Sequence, residues 1–467
     1  MPDTFNARGF SGRLLMLGCG AIGQGVLPLL LRHLDLGPER IAVLAADDGG
    51  RAVAESLGVV FHAGALSPGN HHELLARYLR RGDFLLNLSV DVSSLALISW
   101  CREQGVLYLD TGLEEWPECD TGRCRTSAER TTHAQRLAVQ KLATDGDQGH
   151  PTALITHGAN PGLVSHLAKE ALLQLARDLG HPLSGDPVAP QQWARLARDL
   201  GIRTIHIAEH DSQRAAVSRA ANEFVNTWSV AGLIGEGLQP AELGWGSHER
   251  ERPDDAHRMQ TAAGPALCLD APGLATRVRT WTPTGGAQTG FLITHAEALT
   301  LADFLTLPGE SLDCPAYRPT VHYAYRPCDD TVASIAAMSA NGWQPLPESR
   351  VLKDDLAAGD DTLGVLLMGH ARGAFWYGSQ LDIATARRLA PHNNATSLQV
   401  AAAVLAGVAW VMTHPDRGIV EPEALDHRQA MTIMRPYLGD VSGMYTDWRP
   451  PSGDAGAPWQ FRDFRLA

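Results

Sequence analysis

Four short segments concentrate acids and aromatic rings, and their composition suits a site for a cation. His206-Ile207-Ala208-Glu209-His210-Asp211 places an acid near the end of a strand-like run. Asn226-Thr227-Trp228-Ser229 sets an indole among three polar residues, which suits a ring facing a pocket wall better than one plugged into a core. Gly235-Glu236-Gly237-Leu238-Gln239-Pro240-Ala241-Glu242 carries Glu236 in a glycine-rich stretch, and Thr294-His295-Ala296-Glu297 adds an imidazole beside an acid. A carboxylate attracts a close ammonium by roughly 4 kcal/mol at an effective dielectric near 20. An indole face adds roughly 0.5–2 kcal/mol for a cation above it. A pocket assembled from Trp228, Glu209, Glu236, Asp91 and Glu114 would therefore favour an amine. His206 and His210 have the spacing of a metal pair on a helix. In an extended segment the same spacing is ~13 Å, too far to share an ion. They read as solvent-facing or hydrogen-bonded histidines, and no metal site is expected.

A second chemistry lies near the N-terminus. Leu17-Gly18-Cys19-Gly20-Ala21-Ile22-Gly23 follows the apolar run Leu14–Leu17 and precedes a helix-like pattern through Leu31. A further apolar run, Ile41–Leu44, leads to Asp47 and Asp48. Strand, glycine turn, helix, strand and acid form the layout of a dinucleotide-binding unit. Gly18 permits the turn, Gly20 lets backbone N–H groups approach a pyrophosphate, and Gly23 lets helix and strand pack closely. The helix N-terminus then faces phosphate charge. Ligands in open α/β sheets sit beyond the carboxyl ends of the strands. Asn87, Ser89 and Asp91 hold that position after one run, and Asp110, Thr111 and Glu114 after the next. Taken singly these are ordinary turn and cap residues; the two clusters together favour a polar site.

These residues need a scaffold. Strand-like runs at Leu14–Leu17, Ile41–Leu44, Val59–Phe61, Phe84–Val90, Val106–Leu109 and Ala153–Thr156 alternate with helical patterns, which predicts βαβ units and a Rossmann-like, doubly wound parallel sheet. Thr126–Leu142 reads as a helix, Asp145-Gly146-Asp147 as a loop, and Pro28 as a bend or a shifted start in the first helix. Asn160 is placed to cap a helix carrying Leu163, Leu167, Ala171 and Leu175. From about 200 to 385 the pattern is strand-rich, at Arg203–Ala208, Thr276–Thr282, Gly290–Thr294 and Leu363–Gly369. An alanine- and leucine-rich helix follows from about Ala395 to Met412. The expected organisation is α/β. It has a nucleotide domain over 1–160, completed by the late helix around 390–430, and a second α+β substrate and dimerisation domain over 161–389. A tail, 431–467, is expected to pack on the surface.

Whole-chain properties narrow the partners. A chain of 467 residues suits two or three domains at about 150 residues each. Its net charge of −13 disfavours nucleic acid, which requires basic surface. No sequence run approaches the ~20 apolar residues of a membrane span, and the start, MPDTFNARGF, shows no secretory signal. Seven cysteines, an odd number, fit reduced thiols in a cytoplasm. The closest pair, Cys119 and Cys124, lacks the second pair that zinc requires.

The segments together resemble the bacterial homospermidine synthases, from the glycine loop to Tyr445-Thr446-Asp447-Trp448. Matching stretches include Asn87-Leu88-Ser89-Val90-Asp91, Gly158-Ala159-Asn160-Pro161-Gly162, Val225-Asn226-Thr227-Trp228-Ser229-Val230, Glu236 through Gly246, Val321-His322-Tyr323-Ala324-Tyr325 and Phe375-Trp376-Tyr377-Gly378-Ser379-Gln380. The resemblance implies a homodimer with a saccharopine dehydrogenase-like fold. It implies a tightly bound NAD, regenerated in each cycle, and transfer of an aminobutyl group between putrescines through imines, with ammonia lost. It makes Trp228 the cation–π residue and Glu209 and Glu236 the amine-holding carboxylates, with His295 beside them. Asp91, Glu114, Asn160 and Asp361 line the substrate path. Gly18, Gly20, Ala21, Ile22, Gly23, Asp47, Asn87, Ser89, Thr111 and Ala159 would hold the cofactor. The family acid at the end of the second strand aligns with Ala45, with Asp47 two residues later, so NAD against NADP stays open there. So does the choice between diamines and spermidine. Two rivals remain. A saccharopine or carboxynorspermidine type of dehydrogenase would need arginines for substrate carboxylates, with Arg203, Arg214 and Arg277 as candidates. A dinucleotide-binding sensor would make no product.

Overall fold

The computed structural model describes residues 10–117, 127–143, 149–183, 185–451 and 458–466. Cys119, Cys124, Thr126 and Asp145-Gly146-Asp147 lie outside them. The chain divides into two compact units. The first comprises 1–130, 134–163 and 383–438, and the second 131–133, 164–382 and 439–467.

Apolar runs build the first unit because strands covered on both faces need no polar alternation. Its parallel sheet contains β1 (Leu14–Leu17), β2 (Ile41–Ala45), β3 (Val60–Ala63), β4 (Phe84–Asn87), β5 (Leu107–Asp110) and β6 (Ala153–Leu154). The order is β3-β2-β1-β4-β5-β6, and the short strand Ile419–Val420 follows β6. Chain direction across the sheet switches between β1 and β4, the place where such sheets open a crevice. Helix α1 (Ala21–His33) leaves β1 through the glycine loop and contains the buried Pro28 without interruption. The segment read as one helix from Thr126 is a 3-10 turn at Ser127–Arg130 followed by a helix at Thr132–Gln140. The late helix, Ala395–Thr413, packs against α1 and β5. Contrary to the reading of the sequence, this helix is long and apolar enough to cross a membrane. Its burial inside the unit accounts for that composition: Leu398, Ala402, Leu405 and Val408 are all inaccessible to solvent.

The second unit is built on a ten-stranded mixed sheet. At its centre β7 (Thr204–Asp211) runs parallel to Thr320–Arg326 on one side and antiparallel to Asp360–Met368 on the other. Register matters here, because successive side chains point to opposite faces. Glu209 lies beside Tyr325 on one neighbour and Leu363 on the other, and Asp211 lies beside Asp361. Glu209, Asp211, Tyr323, Tyr325 and Asp361 therefore share one face. His206 and His322 share the other, with ring centroids 4.1 Å apart. The C-terminal segment does more than cover a surface. Asp440–Thr446 adds a strand beside Ala374–Asp382, and Phe461 and Phe464 are fully buried against the two histidines. Apolar rings spaced along that segment explain its insertion.

Candidate active site

In the first unit the glycine loop has room where an anion would come. Gly18 adopts φ +81°, and a Cβ there would sit 2.7 Å from the Leu88 carbonyl oxygen. A Cβ on Gly23 would sit 2.8 Å from the Gly18 carbonyl oxygen, so only glycine lets α1 pack this closely. Gly20 differs: among the described residues a Cβ there meets nothing within 4 Å. No side chain caps α1 at Gly20, and no acid lies in its first turn. Its leading N–H groups, Ala21 and Ile22 among them, are suited to phosphate oxygens.

At the carboxyl ends of β4 and β5 runs a chain of hydrogen bonds. Ser89 Oγ donates to Asn87 Oδ1 at 2.5 Å, Asn87 Nδ2 to the Tyr108 hydroxyl at 3.2 Å, and that hydroxyl to Asp110 at 2.8 Å. Asp110 also accepts from the Thr156 backbone N–H at 2.6 Å. Burial pushes its carboxyl up to about 7, against the pull of these donors. Asp110 thus shapes the turn after β6 that leads to Ala159 and Asn160. Ala159 is buried, and Thr111 is half-buried against Gly158. Among the described residues Asn160 makes no capping bond, and both polar atoms of its side chain are buried without a partner. An unsatisfied buried amide of this kind costs about 1–3 kcal/mol, which a polar ligand would recover. Glu114 is tied by backbone and hydroxyl bonds to Ser94. Burial first, with the Asp91 charge adding, raises its carboxyl to about 7. Asp91 is exposed, with φ 60°. Asp47 is also exposed and accepts from the Gly49 N–H at 2.7 Å, while Ala45 ends β2 almost buried.

In the second unit the acidic face of the sheet gathers the residues of the four segments. The buried Glu209 accepts a hydrogen bond from the Tyr323 hydroxyl. Tyr323 stacks on Tyr325 with centroids 5.4 Å apart, and Tyr325 Oη accepts from the indole N–H of Trp228 at 3.3 Å. The Trp228 ring is half-buried, and Gly232 leaves it space, since a Cβ there would lie 3.0 Å from the indole. Its loop is fixed on both sides. Thr227 Oγ1 donates to Asp211 at 2.5 Å, and Ser229 Oγ caps the helix Val230–Gly237 by accepting from the Gly232 N–H at 3.0 Å. Near the end of that helix, Glu236 comes within 3.8 Å of His295 Nε2 and keeps 29% of its side chain exposed. The His295 ring meets Tyr323 edge-on at 4.5 Å. Asp361 is fully buried, and the charges of Glu209, Asp211 and Asp361 all push the Tyr325 phenol upward beyond the larger effect of its burial. The phenols thus stay protonated beside a cluster of acids, an environment that favours a positive ligand.

Glu209, Glu236, His295, Trp228 and Asp361 thus belong to the second unit, whereas Asp91, Glu114, Asn160 and the glycine loop belong to the first. The sequence did not single out Tyr323, Tyr325 or Tyr108 for a role; alternation in Tyr323-Ala324-Tyr325 was the available signal for the first two. Glu242 and Glu297, in the same segments, are internal. Glu242 accepts from Thr294 Oγ1 at 2.7 Å, and Glu297 accepts from Ser165 Oγ. His206 and His210 each pair with a threonine, Thr280 at 3.1 Å and Thr284 at 3.3 Å. Arg203 and Arg214 are exposed, and Arg277 lies over the Phe291 ring at 4.2 Å.

Comparison with known proteins agrees with this architecture. Residues 14–154 match the saccharopine dehydrogenase NADP binding domain, and 158–446 match the saccharopine dehydrogenase C-terminal domain. Homospermidine synthase from Blastochloris viridis is 45% identical, with 97% of both chains covered. The enzyme of that name from Mesorhizobium japonicum is 44% identical over 97% of this chain and 96% of its own. Among solved structures, homospermidine synthase from Legionella pneumophila in complex with NAD superposes with a TM-score of 0.90 at 46% identity, covering 98% of each chain. Saccharopine dehydrogenase from Saccharomyces cerevisiae, at 10% identity and a TM-score of 0.51 over 93% of this chain and all of its own, shares the fold. This chain belongs to the homospermidine synthase family, built on the saccharopine dehydrogenase fold.

Proposed function

We propose that the protein joins two putrescines into homospermidine, releasing ammonia, with a resident NAD. The observation that carries this reading is the acidic, aromatic face on which Glu209 and Trp228 are both held by tyrosines. The exposed or stacked arginines favour a substrate without carboxylates.

The glycine loop would hold the pyrophosphate, with Asn87, Ser89, Thr111 and Ala159 beyond the strand ends and Asp47 toward the adenosine ribose. When bound, NAD supplies the redox chemistry, taking a hydride from one amine-bearing carbon and returning it later, so the net reaction is group transfer. The residues of this chain do the rest. An ammonium cannot give up hydride from its neighbouring carbon, so a base must first make the reacting nitrogen neutral. A buried carboxylate such as Glu209 takes that proton, while Glu236 beside His295 holds the distal ammonium. The Trp228 face stabilises the positive iminium. Asp361 in the second unit, and Asp91, Glu114 and Asn160 in the first, are the residues to which substrate binding is assigned. Imines hydrolyse in water, and Glu209 at 4% and Asp361 at 0% exposure provide the dry surroundings they need.

The family resemblance supports a homodimer. The free cysteines Cys19, Cys101, Cys268, Cys314 and Cys328 support a reducing, cytoplasmic setting. Incubating the purified protein with putrescine and NAD tests the reading. Homospermidine should accumulate, detected by mass, without net change in nicotinamide absorbance at steady state. Stoichiometric NADH, or no amine product, would overturn it.

A further inference from the structure

The strand Thr320–Arg326 carries two tyrosines that take part in no step of the proposed chemistry, yet they touch three of its residues. Tyr323 donates its hydroxyl hydrogen bond to Glu209 and presents its ring to the edge of His295 at 4.5 Å. Tyr325 accepts the indole N–H of Trp228 at 3.3 Å. The two rings are nearly parallel, 8° apart, with centroids at 5.4 Å, and both side chains are buried. Alternation along one strand gives this geometry, since residues two apart project from the same face. A phenylalanine pair would fill the same volume, so packing does not explain the hydroxyls. Each hydroxyl is spent on a residue of the site.

We propose that Tyr323 and Tyr325 are positioning residues that act as one stacked unit. Tyr323 fixes the orientation and proton affinity of Glu209, and Tyr325 fixes the tilt of the Trp228 indole. This deepens, and rests on, the reading of the site as a diamine-processing centre. A phenol donating to a carboxylate stabilises its ionised form, which keeps Glu209 able to accept a proton from the substrate amine. Burial and the surrounding acids raise both phenols well above their ordinary value, so neither hydroxyl loses its proton in the working range. Tyr325 contributes differently. A cation–π contact depends on the ring face being presented to the cation, and the indole N–H is the only polar atom on that ring by which its tilt can be held.

The test uses Tyr323→Phe and Tyr325→Phe in the full-length protein with bound NAD, because both keep ring volume and stacking. For Tyr323→Phe the acid limb of kcat/KM against pH should move upward by about one unit, the scale on which a single donor shifts a carboxylate. For Tyr325→Phe both limbs should stay in place, while kcat falls several-fold and KM for putrescine changes little. Adding Trp228→Ala to Tyr325→Phe should cost no more than Trp228→Ala alone, whereas independent losses would multiply. Unchanged pH limbs in Tyr323→Phe, whether activity is retained or uniformly reduced, would overturn the Glu209 assignment. Multiplicative losses, or a wild-type kcat in Tyr325→Phe, would overturn the Trp228 assignment. Absence of homospermidine from the wild-type protein would strike the functional reading itself, so the two failures are distinguishable.

Discussion

Trp228→Ala removes a ring that the structure holds half-buried beside an acidic face. A cation above an indole gains ~0.5–1 kcal/mol at an exposed site and ~2 kcal/mol when desolvated. Half-burial places Trp228 between these limits, at about 1–2 kcal/mol. If that gain is made with the iminium rather than with the bound diammonium, it appears in kcat, as a roughly 5- to 30-fold loss. Trp228→Phe keeps a weaker π-face but lacks the N–H that reaches Tyr325 at 3.3 Å, and should fall between wild type and alanine. Stability is a separate quantity. Removing a fully buried large aromatic costs ~3–5 kcal/mol, and a half-exposed one should cost about half of that. Homospermidine formation at saturating putrescine, quantified by mass, gives kcat; thermal unfolding and retained NAD are measured on the same preparations. An alanine variant that turns over at the wild-type rate would refute the cation–π role. So would a loss confined to thermal stability.

The glycine loop offers a contrast between fold and cofactor. Gly18→Ala drives a Cβ into the Leu88 carbonyl and should lower both the unfolding temperature and NAD retention. Gly20→Ala meets no atom of the described residues within 4 Å, so it should spare stability while weakening NAD binding, measured by calorimetry on the apoprotein; unchanged affinity would move the pyrophosphate elsewhere. Glu236→Gln should raise KM for putrescine while NAD stays bound, because the residue lies on the substrate side; cofactor loss in this variant would show that it is misplaced. Buried acids give a pH signature. Burial raises Asp110, Glu242 and Glu249 to about 7 each. The folded state then binds more protons than the unfolded one, so their contribution is fully present below about pH 4 and is lost as pH climbs toward 7. The unfolding temperature should decline across that window, and less steeply in Glu242→Gln. An identical slope in that variant would count against the burial argument.

The nucleotide unit was legible because its information is local. The apolar runs at Leu14–Leu17 and Ile41–Ala45, with glycines at fixed offsets between them, each declare their own conformation. Strand ends were less so: the run expected to extend to Val90 stops as a strand at Asn87, where side-chain bonds replace the ladder. Ala395–Thr413 was legible as a helix of the nucleotide unit, but its apolarity alone says little, since burial inside a unit and burial in a membrane select the same residues. The amine-binding face was legible only as a list of polar segments, given partners by resemblance. Its geometry depends on register between strands distant in sequence. Glu209 meets a phenol 114 residues away and Trp228 one 97 residues away, and a slip of one position would send either tyrosine to the histidine face. Sequence by itself therefore determined which chemical groups are present and the glycine turn that admits a dinucleotide. Tertiary structure decided which acids face a common space and which, like Glu242 and Glu297, merely satisfy the interior, because sheet pairing and burial are properties of the assembled units and not of any segment.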